Sequence, residues 1–247
     1  MEIFVVTEGA TERQVGKVLY EREVLSRRAR PRPRDWKSIY GQTREGYEQV
    51  VAALKGDEAL LAEAKRLLLV FDQESSSSPA TRAAQIAQDL HRGSATGLWQ
   101  QVSWNPVDGW ENLFECRLAG SHVVLHISDA AVANANRHDF DGYILRLLRG
   151  PHKLKIAAKL VPEGLNLNPQ ALLQKAEREI TQMMERNGFP WTHNKSWLYA
   201  YITAFQFRQS HVGFAKEVVK SAPASELRQV FASLIAAWNL LIQGDDR

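Results

Sequence analysis

The chain has one cysteine, Cys116, among 247 residues. No internal disulfide can form, and a structural zinc site built on several thiolates is excluded. Long apolar runs are also missing. Stretches such as Leu67 to Phe71 fall far short of the roughly 20 residues that cross a bilayer, so no membrane role is expected. Met1 to Thr7 leads into Glu8 rather than into the apolar region of a signal peptide, and a cytoplasmic protein is expected. There is little excess of either charge, with a formal net of +3, so any affinity for a polyanion has to come from local clustering. Close histidine spacings of the HxxxH kind are absent from helical segments, and no GxSxG elbow marks a nucleophilic serine.

The chain does have enough apolar residues, 45% of the total, to build one large core. EIFVVT (Glu2 to Thr7) reads as a buried strand, followed by a turn at Gly9 and a helix from Thr11 to Arg28. Thr43 to Lys55 presents Tyr47, Val50, Val51 and Leu54 on one helical face, and Glu58 to Lys65 extends the helical pattern. RLLLVFD (Arg66 to Asp72) reads as a second buried strand. Ser78-Pro79 then supplies an N-cap and a proline at the first helical position. Strands separated by helices predict a mostly parallel α/β sheet whose functional groups gather at the strands' carboxyl ends.

From Gly97 onward the pattern turns strand-like, with GLWQQVSW and a hairpin LFECRLAG/SHVVLHIS turning near Gly120. Helices are expected over Asp141 to Arg149, Pro169 to Asn187, Trp197 to Phe207 and Ala224 to Gln243. The expected organisation is an α/β core over residues 1–135 with a mainly helical extension, 136–247, packed on it.

VVTEGATERQVGKVLY (Val5 to Tyr20) could hold either a phosphate or a metal. A P-loop needs four residues between its glycines, then lysine and a hydroxyl that meets Mg²⁺. Here six residues separate Gly9 from Gly16, and Val18 follows Lys17. That motif fails. The alternative rests on acids: Glu8 ends the first strand, Glu12 opens the next helix, and Asp72 with Glu74 ends the second strand. Residues 72 and 74 point the same way in extended backbone. Carboxylates gathered at one rim repel one another unless a hard divalent cation joins them, although acids at helix N-termini are also favoured by the macrodipole alone. Asp129, which closes HVVLHISD, and Glu111 and Glu115 in DGWENLFEC are further candidates, each also readable as a surface residue.

EGATE after a hydrophobic strand, followed some sixty residues on by LLLVFDQE, resembles the Toprim domain of topoisomerases, primases, ribosomal-RNA maturases and OLD-group nucleases. The resemblance implies a Rossmann-like sheet and a Mg²⁺ or Mn²⁺ site made by Glu8 with Asp72 and Glu74. Glutamate stands at 74 where the family pattern has aspartate, which lengthens that arm by one methylene. Glu12 matches the second acid of the EGxxE form in OLD-like nucleases. NKSWLYAYITAF is similar to the end of stand-alone Toprim proteins and implies that Lys195 is the site's cation. The implied activity is metal-dependent phosphodiester cleavage in DNA or RNA, in genome maintenance or anti-phage defence, with Glu8, Asp72 and Lys195 catalytic. The alternatives are an inactive nucleic-acid-binding module, or a subunit working with a protein partner such as an ATPase.

One basic cluster stands out: RRARPRPR, in which Arg27, Arg28, Arg30, Arg32 and Arg34 alternate with helix-breaking prolines. It reads either as a solvated connector or as a clamp on a nucleic-acid backbone, with Trp36 beside it to stack on a base.

Overall fold

In the computed structural model, residues 1–32, 46–56, 63–92, 94, 97–131, 136–162, 164, 166–188 and 192–243 are described. Six strands form one sheet in the order β2-β1-β3-β6-β5-β4. They are β1 (Glu2–Thr7), β2 (Arg30–Arg32), β3 (Arg66–Asp72), β4 (Asn105–Val107), β5 (Trp110–Leu118) and β6 (Ser121–Ser128). The pairings β1/β2, β1/β3 and β3/β6 are parallel, and β5 and β4 add antiparallel at the far edge. The expected hairpin is therefore present. Its turn is made by Ala119 and Gly120, both at positive φ, which matches the right-handed twist of the flanking strands.

Both faces of the sheet are covered, which is why β3 reads as a continuous apolar run. Alternate residues sort to the two sides. Leu67, Leu69 and Phe71 join Val123, Leu125 and Ile127 in a cluster with α2 (Tyr47–Gly56) and α3 (Pro79–His91). Ser78 caps α3 as expected, its side chain accepting from the Thr81 amide at 3.1 Å.

Ile3, Val5, Leu68, Val70 and Val124 face the other way, into a core shared with α1 (Ala10–Glu21) and the C-terminal helices. These are α4 (Asp141–Arg149), α5 (Lys153–Leu160), α6 (Pro169–Gln174), α7 (Thr181–Arg186), α8 (Asn194–Ala204), α9 (His211–Ser221), α10 (Ala224–Val230) and α11 (Ala232–Gln243). A π-helical turn, Lys175–Ile180, joins α6 to α7. This core runs from Ile3 to Leu241, so it is continuous across the boundary expected between 1–135 and 136–247. Among the described residues no helix is long and apolar enough to cross a membrane.

Several elements differ from expectation. GLWQQVSW is not a strand: Leu98–Gln101 forms a 3₁₀ turn that buries Trp99, whose Nε1 donates to the Leu54 carbonyl at 2.7 Å. Burying that ring on the sheet outweighs strand propensity. Helix α1 stops at Glu21, not Arg28. Glu23 takes φ 57°, and the amides of Val24 and Leu25 fold back to the Leu19 carbonyl, which sends both side chains into the core. The expected last helix divides at Phe231, which is buried against Phe140 and Tyr143. Helices α5 and α9 carry no counterpart in the sequence reading, and the expected segment Glu58 to Lys65 lies mostly outside the described residues.

One close approach fixes how the C-terminal part meets the sheet. A Cβ on Gly142, at the start of α4, would lie 2.3 Å from the Ala130 carbonyl oxygen, a backbone atom that cannot step aside. Gly142→Ala is expected to cost roughly 2–4 kcal/mol. Chemical denaturation would read this as a lower midpoint at unchanged slope.

Candidate metal centre

The site is built at the carboxyl ends of β1 and β3. Glu8 follows β1, and its amide extends the ladder to the Val70 carbonyl at 3.0 Å. Its side chain then turns across to β3, where Oε2 accepts from the Asp72 amide at 3.1 Å. Asp72 is aimed by a third segment: its Oδ1 accepts from the Phe140 amide at 2.9 Å. Glu74 sits at φ 60° in a short antiparallel bridge with His138, with amide-to-carbonyl distances of 2.8 and 2.9 Å. Oxygens of Glu8, Asp72 and Glu74 all lie within 4.8 Å of one another. The rim that the sequence assembled from separated acids therefore exists as one cluster.

A cavity of about 310 Å³ opens over these oxygens. Glu12, in the first turn of α1, lines it together with Gly9. Gly9 is needed there, because a Cβ on it would stand 2.7 Å from Glu12 Oε2. Gly9→Ala is expected to displace the Glu12 carboxyl, the movable partner, and to weaken divalent-ion affinity several-fold with little loss of fold stability. Manganese titration followed by electron paramagnetic resonance measures the first effect, and thermal denaturation in EDTA the second.

Lys195, in the first turn of α8, also lines the cavity. Its charge opposes the raised carboxyl pKa values of Asp139 and Asp141.

Those two aspartates, with Arg137, complete the cavity and were not assigned to a site from sequence. Arg137 and Asp139 belong to the loop after β6, which the Glu74/His138 bridge draws alongside β3, and Asp141 is the first residue of α4. Asp139 is held by Asn194, fully buried, whose Nδ2 donates to Asp139 Oδ1 at 2.7 Å and to the Ala130 carbonyl at 3.0 Å. Arg137 pairs with Glu74. The signal available in sequence was DFDG, two alternating acids just before a helix. No strand directly precedes it, so nothing local placed it at the rim.

Arg82 is the third cation near the cluster. Its Nε donates to the Asp72 carbonyl at 2.9 Å, its Nη2 lies 3.8 Å from Glu8 Oε2, and its guanidinium stacks on Tyr47 with the carbon 4.0 Å from the ring centroid. It braces the two strand ends without lining the cavity.

Among the described residues, six carboxylates thus face three cationic side chains, and burial makes the imbalance costly. Burial pushes the Glu12 carboxyl up to about 8, with the negative charges of Asp141, Glu8 and Asp139 adding to it. Asp141 is pushed up to about 7 by burial and then by Asp139. Asp72 rises well above the usual carboxylate range through burial and the charges of Glu12, Glu8 and Asp139. Burial also raises Glu8 and Asp139, against the hydrogen bonds and cations that hold them. Asp141 Oδ1 is buried with no hydrogen-bond partner. A hard, oxygen-seeking divalent cation held by Glu8, Asp72 and Glu74 would neutralise much of this negative charge. The donor set, all carboxylate, suits Mg²⁺ or Mn²⁺ and not a thiolate-seeking metal.

Other candidates lie elsewhere. Asp129 Oδ1 accepts from Tyr143 Oη at 2.9 Å and Asn112 Nδ2 at 3.1 Å, so it anchors the core side of the sheet. Glu115 pairs with His122 at 2.8 Å near the start of β6, the end of the sheet away from the rim, and Glu111 is exposed and does not line the cavity. His126 is fully buried and bonds Ser233 at 3.0 Å, a structural role.

Among the described residues, the arginines of the cluster do not line the cavity. Arg30 and Arg32 pair with Glu2 at 2.8 and 3.2 Å, at the amino end of β1, roughly 20 Å from Glu8 at strand rise. Arg27 donates to the Glu21 carbonyl and stacks on Tyr20, and Arg28 is exposed. Arg34 and Trp36 fall outside the described residues.

No protein-family model matches the chain, and no curated protein or solved structure gives a significant match.

Proposed function

We propose that the chain is a Toprim-like, Mg²⁺- or Mn²⁺-dependent nuclease that hydrolyses phosphodiesters in DNA or RNA. The observation that carries this reading is the meeting of Glu8, Asp72 and Glu74 within 4.8 Å at the mouth of a cavity lined by further buried acids. Glu8, Asp72 and Glu74 would hold the principal cation, with Glu12 beside them. When bound, the cation would supply Lewis-acid polarisation of a phosphate oxygen and an acidified water.

The chain's own groups do the rest. Water adds to phosphorus, the bond to the leaving oxygen breaks, and that oxygen takes up a proton. Lys195 Nζ offsets the charge that develops on the phosphorane oxygens. Glu12, beside the cation, is placed to take the proton that the attacking water gives up. Glu8 is the alternative proton-transfer group. Arg82 and Asn194 are positioning residues: the first fixes the β1 and β3 ends, the second fixes Asp139. The basic segment at Arg27 to Arg32 would serve as a backbone contact only for a polymer that extends beyond the cavity.

Incubating the purified protein with plasmid DNA and with single-stranded RNA, in Mg²⁺, Mn²⁺ or EDTA, tests the proposal. Cutting that needs metal supports the enzyme. Metal binding and nucleic-acid binding without cutting point to the inactive module, and activity that emerges only with an added ATPase points to the subunit reading.

A further inference from the structure

One large aromatic side chain near the cavity is unusually exposed. Tyr199 is 47% exposed, although it sits in the middle of α8, whose Leu198, Ala200 and Tyr201 are buried. It lies four residues after Lys195, so the two share a face of α8 one turn apart, about 6 Å along the helix. Its ring meets that of His211 edge-on, with centroids 6.0 Å apart and planes at 61°. His211 itself lines the cavity, as do His193 and Lys195. The phenol ring therefore stands next to the residues that α8 and α9 contribute to the cavity, without lining it itself.

We infer that Tyr199, backed by His211, is a stacking platform for an unpaired nucleobase, and that the substrate of this site is single-stranded nucleic acid; the inference rests on the nuclease reading above. The geometry gives a division of labour along one helix face. Lys195 meets the phosphate over the carboxylates, and one turn on Tyr199 meets the base attached to the adjoining stretch of strand. An edge-on neighbour leaves ring surface of Tyr199 open, which a base can cover. In a duplex the base faces are already stacked on one another, so the ring gains a partner only where the strand is unpaired. Stacking is indifferent to base identity, so broad sequence tolerance is expected.

The test uses fluorescence anisotropy in Ca²⁺, with labelled short oligo-dT, oligo-rU and a blunt DNA duplex as probes. Wild type is expected to bind a single strand at least tenfold more tightly than the duplex. Tyr199→Ala should lose about tenfold on the single strand with no change on the duplex, and Tyr199→Phe should keep wild-type affinity because the ring is retained. The separate dT and rU arms report which sugar is preferred, and a preference for either single strand over the duplex supports the inference. Equal affinity of wild type for single strand and duplex would overturn it, as would single-strand binding that survives Tyr199→Ala. If metal-dependent cutting persists in that case, the nuclease reading stands and only the platform falls. If wild type binds none of the probes and cuts nothing, both fall.

Discussion

Glu8→Gln and Asp72→Asn are each expected to lower metal-dependent cleavage by roughly 10³-fold or more, since under the proposed function each would remove a charged ligand of the cation. The two substitutions preserve shape. They also preserve the hydrogen bonds that the same side chains accept from the Asp72 and Phe140 amides. The fold should therefore survive, and removing a repelling buried charge should raise stability in EDTA. Loss of cleavage together with equal or greater thermal stability in EDTA is the signature of a functional cluster. Loss of both would mark Glu8 and Asp72 as structural residues instead. Lys195→Met is expected to fall less, because Arg137 also lies at the cavity.

The second large effect is on stability against pH. The Glu12 carboxyl stands near 8 in the folded chain against an ordinary 4.5, and Asp141 near 7 against 3.8. Each folded carboxyl therefore holds its proton more tightly than the unfolded one. The stability this gives is complete below about pH 4, where both states are protonated. It is lost progressively above that, while only the unfolded carboxyls are ionised, and the loss is complete once pH has risen through 7 and 8, where the folded carboxyls ionise too. In EDTA the chain is expected to lose a few kcal/mol between pH 5 and pH 8.5, about 5–10 °C in Tm for a chain of this size. Divalent cation is expected to reverse the trend, because only the ionised cluster would bind it. The gain from saturating Mg²⁺ should be small at pH 5, large at pH 8.5, and accompanied by proton release. Glu12→Gln should flatten the EDTA slope. Differential scanning calorimetry across pH, with and without Mg²⁺, measures all of this; a Tm in EDTA that rises steadily to pH 8.5 would contradict it.

The parts of the site legible in the sequence were those attached to strong local patterns. EIFVVT and RLLLVFD are recognisable as buried strands because both faces of the sheet are covered, and an acid directly after each must lie at the carboxyl rim. Parallel pairing of β1 with β3 then brings Glu8 to Asp72 with no further information. Asp139 and Asp141 could not be found this way. Their position depends on the Glu74/His138 bridge and on Asn194, contacts between segments remote in sequence. The arginine segment shows the opposite limit. Its composition fits phosphate binding, yet β2 pairs with β1 from Glu2 onward and sets Arg30 and Arg32 at the amino end of the sheet, against Glu2. Charge clustering indicates what a segment can bind; topology decides whether it stands near the chemistry. The same lesson applies to GLWQQVSW, where alternation resembled a strand but a single buried tryptophan set the local structure.

The helical C-terminal part has more than a supporting role. Lys195, His193 and His211 line the cavity from α8, its N-cap and α9, the loop before α4 supplies Arg137 and Asp139, and α4 itself opens with Asp141. A chain cut at residue 135 would lose half of the cavity wall as well as the helices that cover one face of the sheet, and its remaining apolar face would be exposed.

A crystal soaked in Mn²⁺ at pH 8 and measured at the manganese absorption edge addresses the central claim most directly. The account predicts an anomalous peak bounded by carboxylate oxygens of Glu8, Asp72 and Glu74, absent from Asp72→Asn crystals soaked alike. A fully soaked wild-type crystal with no manganese between those three residues would contradict it.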